Sequence, residues 1–443
     1  RSTLFPYTTL FRSNQRNMAR GADEYLVTLD VGTITTKAVI VQLIPEGIPR
    51  VVGVGKTFSR GMRRGSIVDI DEASESIKKA LEEAERFAGV EVVSVYVALS
   101  GTHLQSMETK GVIAVGKADG EVSQEDLDRV LSAAEAVSLP SNFEILHVVP
   151  RSFTLDNQGG IKDPIGMTGV RLELEGTIIY ASTPHIKNVT KCLEKIGINI
   201  ENFIAAPLAA AKATLNKRQE ELGAVAIDLG GGTISMAVYE EQELIHLAVL
   251  PIGVGYVTND IAIGLRISVD LAEEIKLKYG SALPNSIGKK EEIDLSSFDD
   301  GEEGMVSRKH VAEIIEARTE EIFSSVEKEL KRIGRSALLP AGAVLSGGGA
   351  NLEGVEDVAK RVLKLPAHNN NYHFELSGLV DKVDDPSFAV SAGMIAWILE
   401  NTNANEIKGA VSEFKMNGQL GQGLELVKKW TKSSKKWLSR FLP

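Results

Sequence analysis

The chain has 443 residues but a single cysteine, Cys192, and only 5% Phe, Tyr and Trp. One thiol excludes an intramolecular disulfide and fits a reducing cytosol. No stretch reaches the ~18 consecutive apolar residues of a membrane-spanning helix. The sequence predicts no secretory signal with a charged start and an apolar middle. Acidic residues outnumber basic ones, 60 Asp and Glu against 49 Lys and Arg, for a formal net charge of −11. An acidic body of this kind argues against nucleic acid as a partner. His368 and His373 in "HNNNYH" flank a run of Asn with no Cys beside them, so that pair predicts no zinc site. Cys192 falls in a helical apolar pattern, "VTKCLEKIG", and reads as a buried small hydrophobe.

The 43% hydrophobic and 25% charged content is that of a globular protein. Its length predicts about two to four domains, since single cores stop growing near ~250–300 residues. The opening "RSTLFPYTTLFRSNQRN" precedes Met18 and shows no helical or strand period. Residues 1–23 therefore read as a non-native or disordered extension.

Two segments repeat one pattern about two hundred residues apart: "YLVTLDVGTITTKAVIVQ" (25–42) and "GAVAIDLGGGTISMAVYE" (223–240). Each has an apolar run of strand length, an Asp at its end, a Gly/Thr-rich turn and a second β-branched run. This predicts hairpins with turns of special geometry. Glycines let turn N–H groups converge on phosphate oxygens, and Thr33, Thr36, Thr233 and Ser235 can add hydroxyl donors. Asp30 and Asp228 would hold a hydrated Mg²⁺, which prefers oxygen ligands and keeps its waters. One such turn is more often a plain hairpin; two copies with Asp in register point to a nucleotide. The candidate phosphate residues are Asp30, Gly32, Thr33, Thr36, Lys37, Asp228, Gly230, Gly231, Gly232 and Thr233. "RVVGVGKT" (50–57) ends like a P-loop, but Arg50 replaces the first glycine of that motif, so strand and turn are expected.

A third segment, "AVLSGGGANLEGV" (343–355), runs an apolar strand into Gly347, Gly348 and Gly349, then Asn351 and a helical pattern. Such glycines permit a base or ribose to lie on backbone, and a helix start favours the anionic end of a ligand. In "DLAEEIKLKYG" (270–280), Glu273 and Lys276 share a helix face. They could hold ribose hydroxyls and adenine, or form a solvated ion pair.

Strand–Asp–Gly–Thr twice, then Ser-Gly-Gly-Gly, resembles the actin/DnaK/hexokinase superfamily of ATP-binding proteins. Within it the chain is similar, from Tyr25 onward, to the FtsA family of bacterial cell-division proteins. The most specific stretches are "DNQGGIKDPIGMTGVRLELEG" (156–176), "VSVYVALSGTHLQS" (93–106) and "LPIGVGYVTNDIAIGLRISVDLAEEIKLKYG" (250–280). The resemblance implies an α/β, actin-like two-lobed fold with four subdomains, a small α+β (SHS2-type) domain inserted in the first lobe, and a C-terminal amphipathic helix. The expected divisions are a first-lobe core of 24–93, completed by 188–222 and 386–400, and an inserted domain of 94–187. The second lobe takes a core of 223–245 and 320–385 and an outer subdomain of 246–319, followed by a linker of 401–423 and a terminal helix of 424–443. The long helix expected at 308–334 and the α/β alternation agree with this, and the acidic stretch 288–304 reads as an exposed loop.

In relatives the helix connecting the lobes carries a Glu that helps polarise water; here Ala206 stands there, in "IAAPLAAAKAT" (204–214). Alanine cannot orient water, a role worth ~10²–10⁴-fold where it operates. ATP binding with at most slow turnover is expected, with Asp228, acting through Mg²⁺, as the candidate catalytic residue.

From Leu424 onward Lys428, Lys429, Lys432, Lys435, Lys436 and Arg440 face Glu425 alone, a net +5 that leaves −16 on the remainder. Val427, Trp430, Trp437, Leu438 and Phe441 fall at helical steps opposite the basic residues. Such a helix could dock on its own acidic globule. Two tryptophans and dense basic charge after a loose tether fit an anionic membrane surface better. The resemblance further implies ATP-favoured self-association into protofilaments and an FtsZ C-terminal peptide bound at 246–319. It also implies other division proteins at the inserted domain, and a place on the cytoplasmic face of the inner membrane at the division site. A pilus-assembly protein of the PilM type and a small-molecule kinase are the alternatives on the same fold.

Overall fold

The computed structural model describes residues 24–44, 47–298, 304–369 and 372–401. In chain order the elements of the first lobe are β1 (Glu24–Val31), β2 (Thr35–Leu43), β3 (Arg50–Phe58), the short strands β4 (Met62–Arg63) and β5 (Ser66–Ile67), α1 (Ile70–Ala88) and β6 (Ser94–Leu99). An inserted unit follows: β7 (Leu104–Ala114), α2 (Gln124–Glu135), β8 (Phe143–Leu155), β9 (Gln158–Ile161) and β10 (Arg171–Ser182). The chain returns through α3 (Thr183–Lys195), β11 (Asn199–Ala205), α4 (Ala206–Thr214) and α5 (Lys217–Leu222). The second lobe holds β12 (Ala224–Leu229), β13 (Ile234–Glu240), β14 (Glu243–Leu250), α6 (Gly255–Leu265), α7 (Val269–Tyr279), β15 (Glu292–Asp294), β16 (Met305–Ser307) and α8 (Arg308–Arg332). It continues with β17 (Gly342–Ser346), α9 (Val355–Leu363) and β18 (Ala367–Asn369), before β19 (Ser377–Gly378) and α10 (Ala389–Asn401) re-enter the first lobe.

Among the described residues three larger sheets form, ordered β11-β6-β1-β2-β3-β19, β7-β10-β8-β9 and β14-β13-β12-β17-β18. Three expected boundaries move. The sequence reading assigns residues 94–99 to the insertion, but β6 pairs in parallel with β1, so the separate sheet starts only at Leu104. β14 pairs with β13, so the second-lobe core extends past residue 245 to Leu250. β19 pairs with β3, so the return to the first lobe precedes residue 386. In each case a strand joins whichever sheet edge it reaches, which local pattern does not reveal.

The glycines of "VGVGKT" have a packing reason. A Cβ on Gly53 would lie 2.3 Å from Ala84 O, and one on Gly55 1.9 Å from Ala80 O, so α1 rests directly on β3. That segment is strand, as expected. α1 starts on Asp69, whose carboxylate accepts from the N–H groups of Asp71 and Glu72, and stops at Gly89 with φ 69°, the left-handed cap that glycine adopts without penalty. α4 is rich in alanine because α10 crosses it closely: a Cβ on Gly393 would fall 1.7 Å from Ala209 O. Cys192 is fully buried in the first-lobe core. The stretch 288–304 is not uniformly exposed as expected. β15 and β16 pair, and Ile293 and Leu295 enter the second-lobe core; residues 299–303 lie outside the described residues.

The inserted sheet carries α2 on one face and meets the edge strand β14 of the second lobe. The Thr177 and Ser106 hydroxyls donate to Leu244 O and Leu247 O, each at 3.0 Å. Arg151 and Lys162 both reach the Glu243 carboxylate. Edge carbonyls are thereby covered, as isolated edges require. No described helix is long and apolar enough to cross a membrane.

Candidate functional site

Both repeats form the expected antiparallel hairpins, with Asp30 opposite Lys37 and Asp228 opposite Ser235. The turns share one steric demand. A Cβ on Gly32 would lie 2.7 Å from Thr35 O, and one on Gly230 2.7 Å from Thr233 O. The turns also meet face to face: a Cβ on Gly231 would strike Ile34 at 2.2 Å, and one on Gly232 would lie 2.6 Å from Thr33 Oγ1. The N–H groups of Thr33, Gly231 and Gly232 make no hydrogen bond to another described residue.

Lys37 is buried beneath the first turn. Its Nζ donates to Ser387 O at 2.6 Å, stands 3.4 Å from Asp30 Oδ2 and lies 5.5 Å from the centre of the Phe388 ring. Across the junction Ser346 Oγ donates to Asp228 Oδ1 at 3.2 Å. Burial and the neighbouring Asp30 charge push the Asp228 carboxyl up to about 6, against partial relief from Lys37 and Ser346. The pair of strand-end carboxylates thus carries surplus negative charge in an enclosed place.

Thr36 is not part of this group. The strand pleat turns it to the α1 face, where the second repeat has the core residue Ile234; it is fully buried, and its hydroxyl pairs with Ser59 Oγ at 2.8 Å. Thr233 and Ser235 are buried, with Thr233 O pressed against Gly230 of its own turn. Of the third glycine run, Gly347 has φ 82°, and a Cβ there would lie 2.8 Å from Asp228 Oδ1, whereas one on Gly349 would strike Val254 at 2.4 Å. Close approach of β17 to β12 therefore requires both, while Gly348 is open apart from Ser387 Cβ at 3.9 Å. Asn351 Nδ2 donates to Asp385 Oδ2 at 3.1 Å.

Glu273 and Lys276 do share a face of α7, and Lys276 Nζ donates to Glu273 Oε2 at 2.6 Å and to Thr258 Oγ1 at 2.9 Å. They lie beside α6, whose start is tied to the second turn by the Gly255 N–H donating to Gly231 O at 2.8 Å. Ala206 opens α4, buried and without a polar atom. Sequence reasoning missed Thr258, Ser346, Asp385 and Ser387. Ser346 stood next to the glycine run and could have been found; the Asp385–Ser387 turn carried no signal of its own.

The donor set is all oxygen: two carboxylates, with the buried Ser387 hydroxyl partnerless among the described residues. No described cluster of three or more His, Cys, Asp or Glu could cage a metal directly. Two carboxylates at the mouths of N–H-rich turns fit a hard cation that keeps its waters and bridges to phosphate. The terminal helix proposed over residues 424–443, with Phe441 among its apolar residues, and the linker before it beyond Asn401 lie outside the described residues.

Two lobes built around paired hairpins, with a small sheet domain inserted in the first, define an actin-like fold. Residues 101–180 match the family model described as the SHS2 domain inserted in FTSA, and residues 225–393 match that of cell division protein FtsA. The cell division protein FtsA of Pseudomonas aeruginosa is 34% identical over 92% of this chain and 98% of its own length, and that of Bacillus subtilis 36% identical over 89% and 87%. Among solved structures, a chain of the PilM-PilN type IV pilus biogenesis complex superposes with a TM-score of 0.58 at 16% identity, covering 83% of this chain and 96% of that one. The chain belongs to the FtsA family of bacterial cell-division proteins.

Proposed function

We propose that this chain binds ATP with Mg²⁺ between its two hairpin turns and uses the bound state to assemble on the membrane, where it anchors FtsZ polymers. The observation that carries the nucleotide reading is the facing pair of turns, with free N–H groups between Asp30–Lys37 on one side and Asp228–Ser346 on the other. In this reading the N–H groups of Thr33, Gly231 and Gly232 receive phosphate oxygens, and Lys37 offsets charge from below. The Glu273–Lys276–Thr258 group, one turn along α6, receives the ribose and base. Asp30 and Asp228 hold Mg²⁺ through its waters; the ion, when bound, neutralises phosphate charge. Ala206 supplies no base, so turnover is slow and the nucleotide acts through occupancy.

The remaining assignments rest on family membership. They are protofilament self-association, an FtsZ C-terminal peptide at residues 246–319, and later division proteins at the inserted domain. The basic, tryptophan-bearing residues 424–443 form the attachment to anionic lipid on the cytoplasmic face. Recruitment of fluorescent FtsZ polymers to anionic liposomes, with and without residues 424–443, tests the whole. Recruitment is expected to need both ATP and the tail. A protein that coats liposomes while FtsZ stays in solution would sink the partner assignment.

A further inference from the structure

The short β4–β5 hairpin sits where three parts of the molecule meet. Its two-residue tip, Arg64 and Gly65, has φ 49° and 72°, the positive values that a tight two-residue hairpin loop favours. On one side the Gly65 N–H donates to Thr33 Oγ1 at 2.8 Å, and Thr33 bears on Gly232 of the facing turn. On a second side Arg64 Nε donates to the Tyr256 hydroxyl of α6 at 2.8 Å. Arg64 and Arg318 both lie over the Tyr256 ring, at 5.8 and 5.7 Å, and Arg318 is itself held by Asp260. Tyr256 follows the residue whose N–H is bonded to Gly231 O, so this arm reaches the second turn.

The third side faces the inserted domain. The chain enters that domain between β6 and β7 and leaves it between β10 and α3. A Cβ on Gly65 would lie 2.8 Å from Gly101 Cα at the entry, and Ser66 Oγ is 3.1 Å from His185 Nε2 at the exit. His103 of the entry stacks on His185 with ring centres 3.8 Å apart and planes 20° apart. The two crossings are clasped together, and the hairpin leans on the clasp. Stacked face to face in nearly parallel planes, the two imidazoles cannot converge on one metal ion, so the stack is a mechanical contact.

We infer that the Gly61–Ile67 hairpin couples the phosphate turns to the orientation of the inserted domain. The inference rests on the nucleotide reading for its trigger. Any change in the gap between the facing turns moves Thr33 and Tyr256, hence Arg64 and Gly65. The Gly65–Gly101 approach and the Ser66–His185 hydrogen bond then carry that shift to the two crossings of the inserted domain. The hairpin is a physically continuous link between two sites, which is what coupling needs.

Two measurements on the full chain test this. In a Cys192→Ala background, spin labels at Lys79→Cys on α1 and Asp128→Cys on α2 report the distance from the first lobe to the inserted domain. Saturating Mg·ATP is expected to shift that distance by about 2 Å or more. In the Arg64→Ala/Ser66→Ala variant, nucleotide affinity stays within about threefold while the shift is lost. A full shift in the variant, or no shift in the parent with nucleotide bound, overturns the coupling. If the parent binds no nucleotide, the nucleotide reading fails on its own. The coupling is then decided by amide exchange on nucleotide-free protein. There the same variant is expected to speed exchange about fivefold both at residues 230–233 and at 101–104. Faster exchange confined to the hairpin overturns the inference.

Discussion

The two hairpin turns share a backbone and differ in what they carry. At equivalent positions the first turn has Thr33 and Ile34, the second Gly231 and Gly232, and the side chains of the first fill the room left by the second. Opposite the strand-end carboxylates the first repeat has Lys37 and the second Ser235. One turn is therefore a knob with its own cation, the other a hollow whose carboxylate is left with excess charge. A duplicated element kept its conformation through the local demand at Gly32 and Gly230. Its copies then diverged at positions where each presses on the other. The lobes are alike as folds and unlike as halves of a site.

The largest effect that would break this comparison is removal of the cation. Lys37→Met leaves Asp30 buried and uncompensated. Chemical denaturation is expected to show a loss of ~3 kcal/mol, and titration with a fluorescent ATP analogue a fall in affinity of about 100-fold or more. A variant with normal affinity would remove Lys37 from the site.

Next in size is Asp228→Asn. Because the folded-state carboxyl titrates near 6 rather than its ordinary 3.8, the folded protein holds this proton more tightly than the unfolded chain. Its contribution is most favourable below about pH 4 and is lost as pH rises toward 6, on the order of 3 kcal/mol in total. Subtracting the pH–stability curve of D228N from that of the parent should isolate this decline, while Mg²⁺-dependent affinity for ATP falls about tenfold. Parallel curves would mean that the two strand ends are electrostatically equivalent.

Ser346→Ala withdraws a donor from Asp228 and has no counterpart in the first repeat. Stability above pH 6 is expected to drop by about 1 kcal/mol, with ATP affinity changed about threefold. The smallest effect sharpens the boundary of the site. Thr36→Val should leave affinity within about twofold, although loss of the bond to Ser59 costs about 1 kcal/mol in denaturant. A large loss of affinity would return Thr36 to the phosphate group.

Much of the candidate site was legible because the turns are local. Alternating apolar runs, a terminal Asp and glycines at fixed offsets specify a hairpin whatever surrounds it. Thr36 was misread because a hydroxyl beside a turn looks like a donor, and only the pleat decides which face it takes. Glu273 and Lys276 were paired correctly by helical spacing, but Thr258, from another helix, completes the group. Gly53, Gly55, Gly347 and Gly349 show the same limit. A glycine announces that something comes close, and the sequence does not say whether a phosphate or another backbone is meant.

What the sequence determined by itself is therefore the set of conformations that neighbouring residues impose on one another: two hairpins, the Asp69-capped α1 and the long α8. The tertiary structure alone decided which of these touch. It brought Ser387 under Lys37 and Asp30 beside Asp228, set Gly231 against Ile34, and placed the β4–β5 hairpin between the cleft and the inserted domain. Those contacts join residues up to 350 positions apart. They arise when separate apolar faces are buried together, and no local pattern encodes which faces those are.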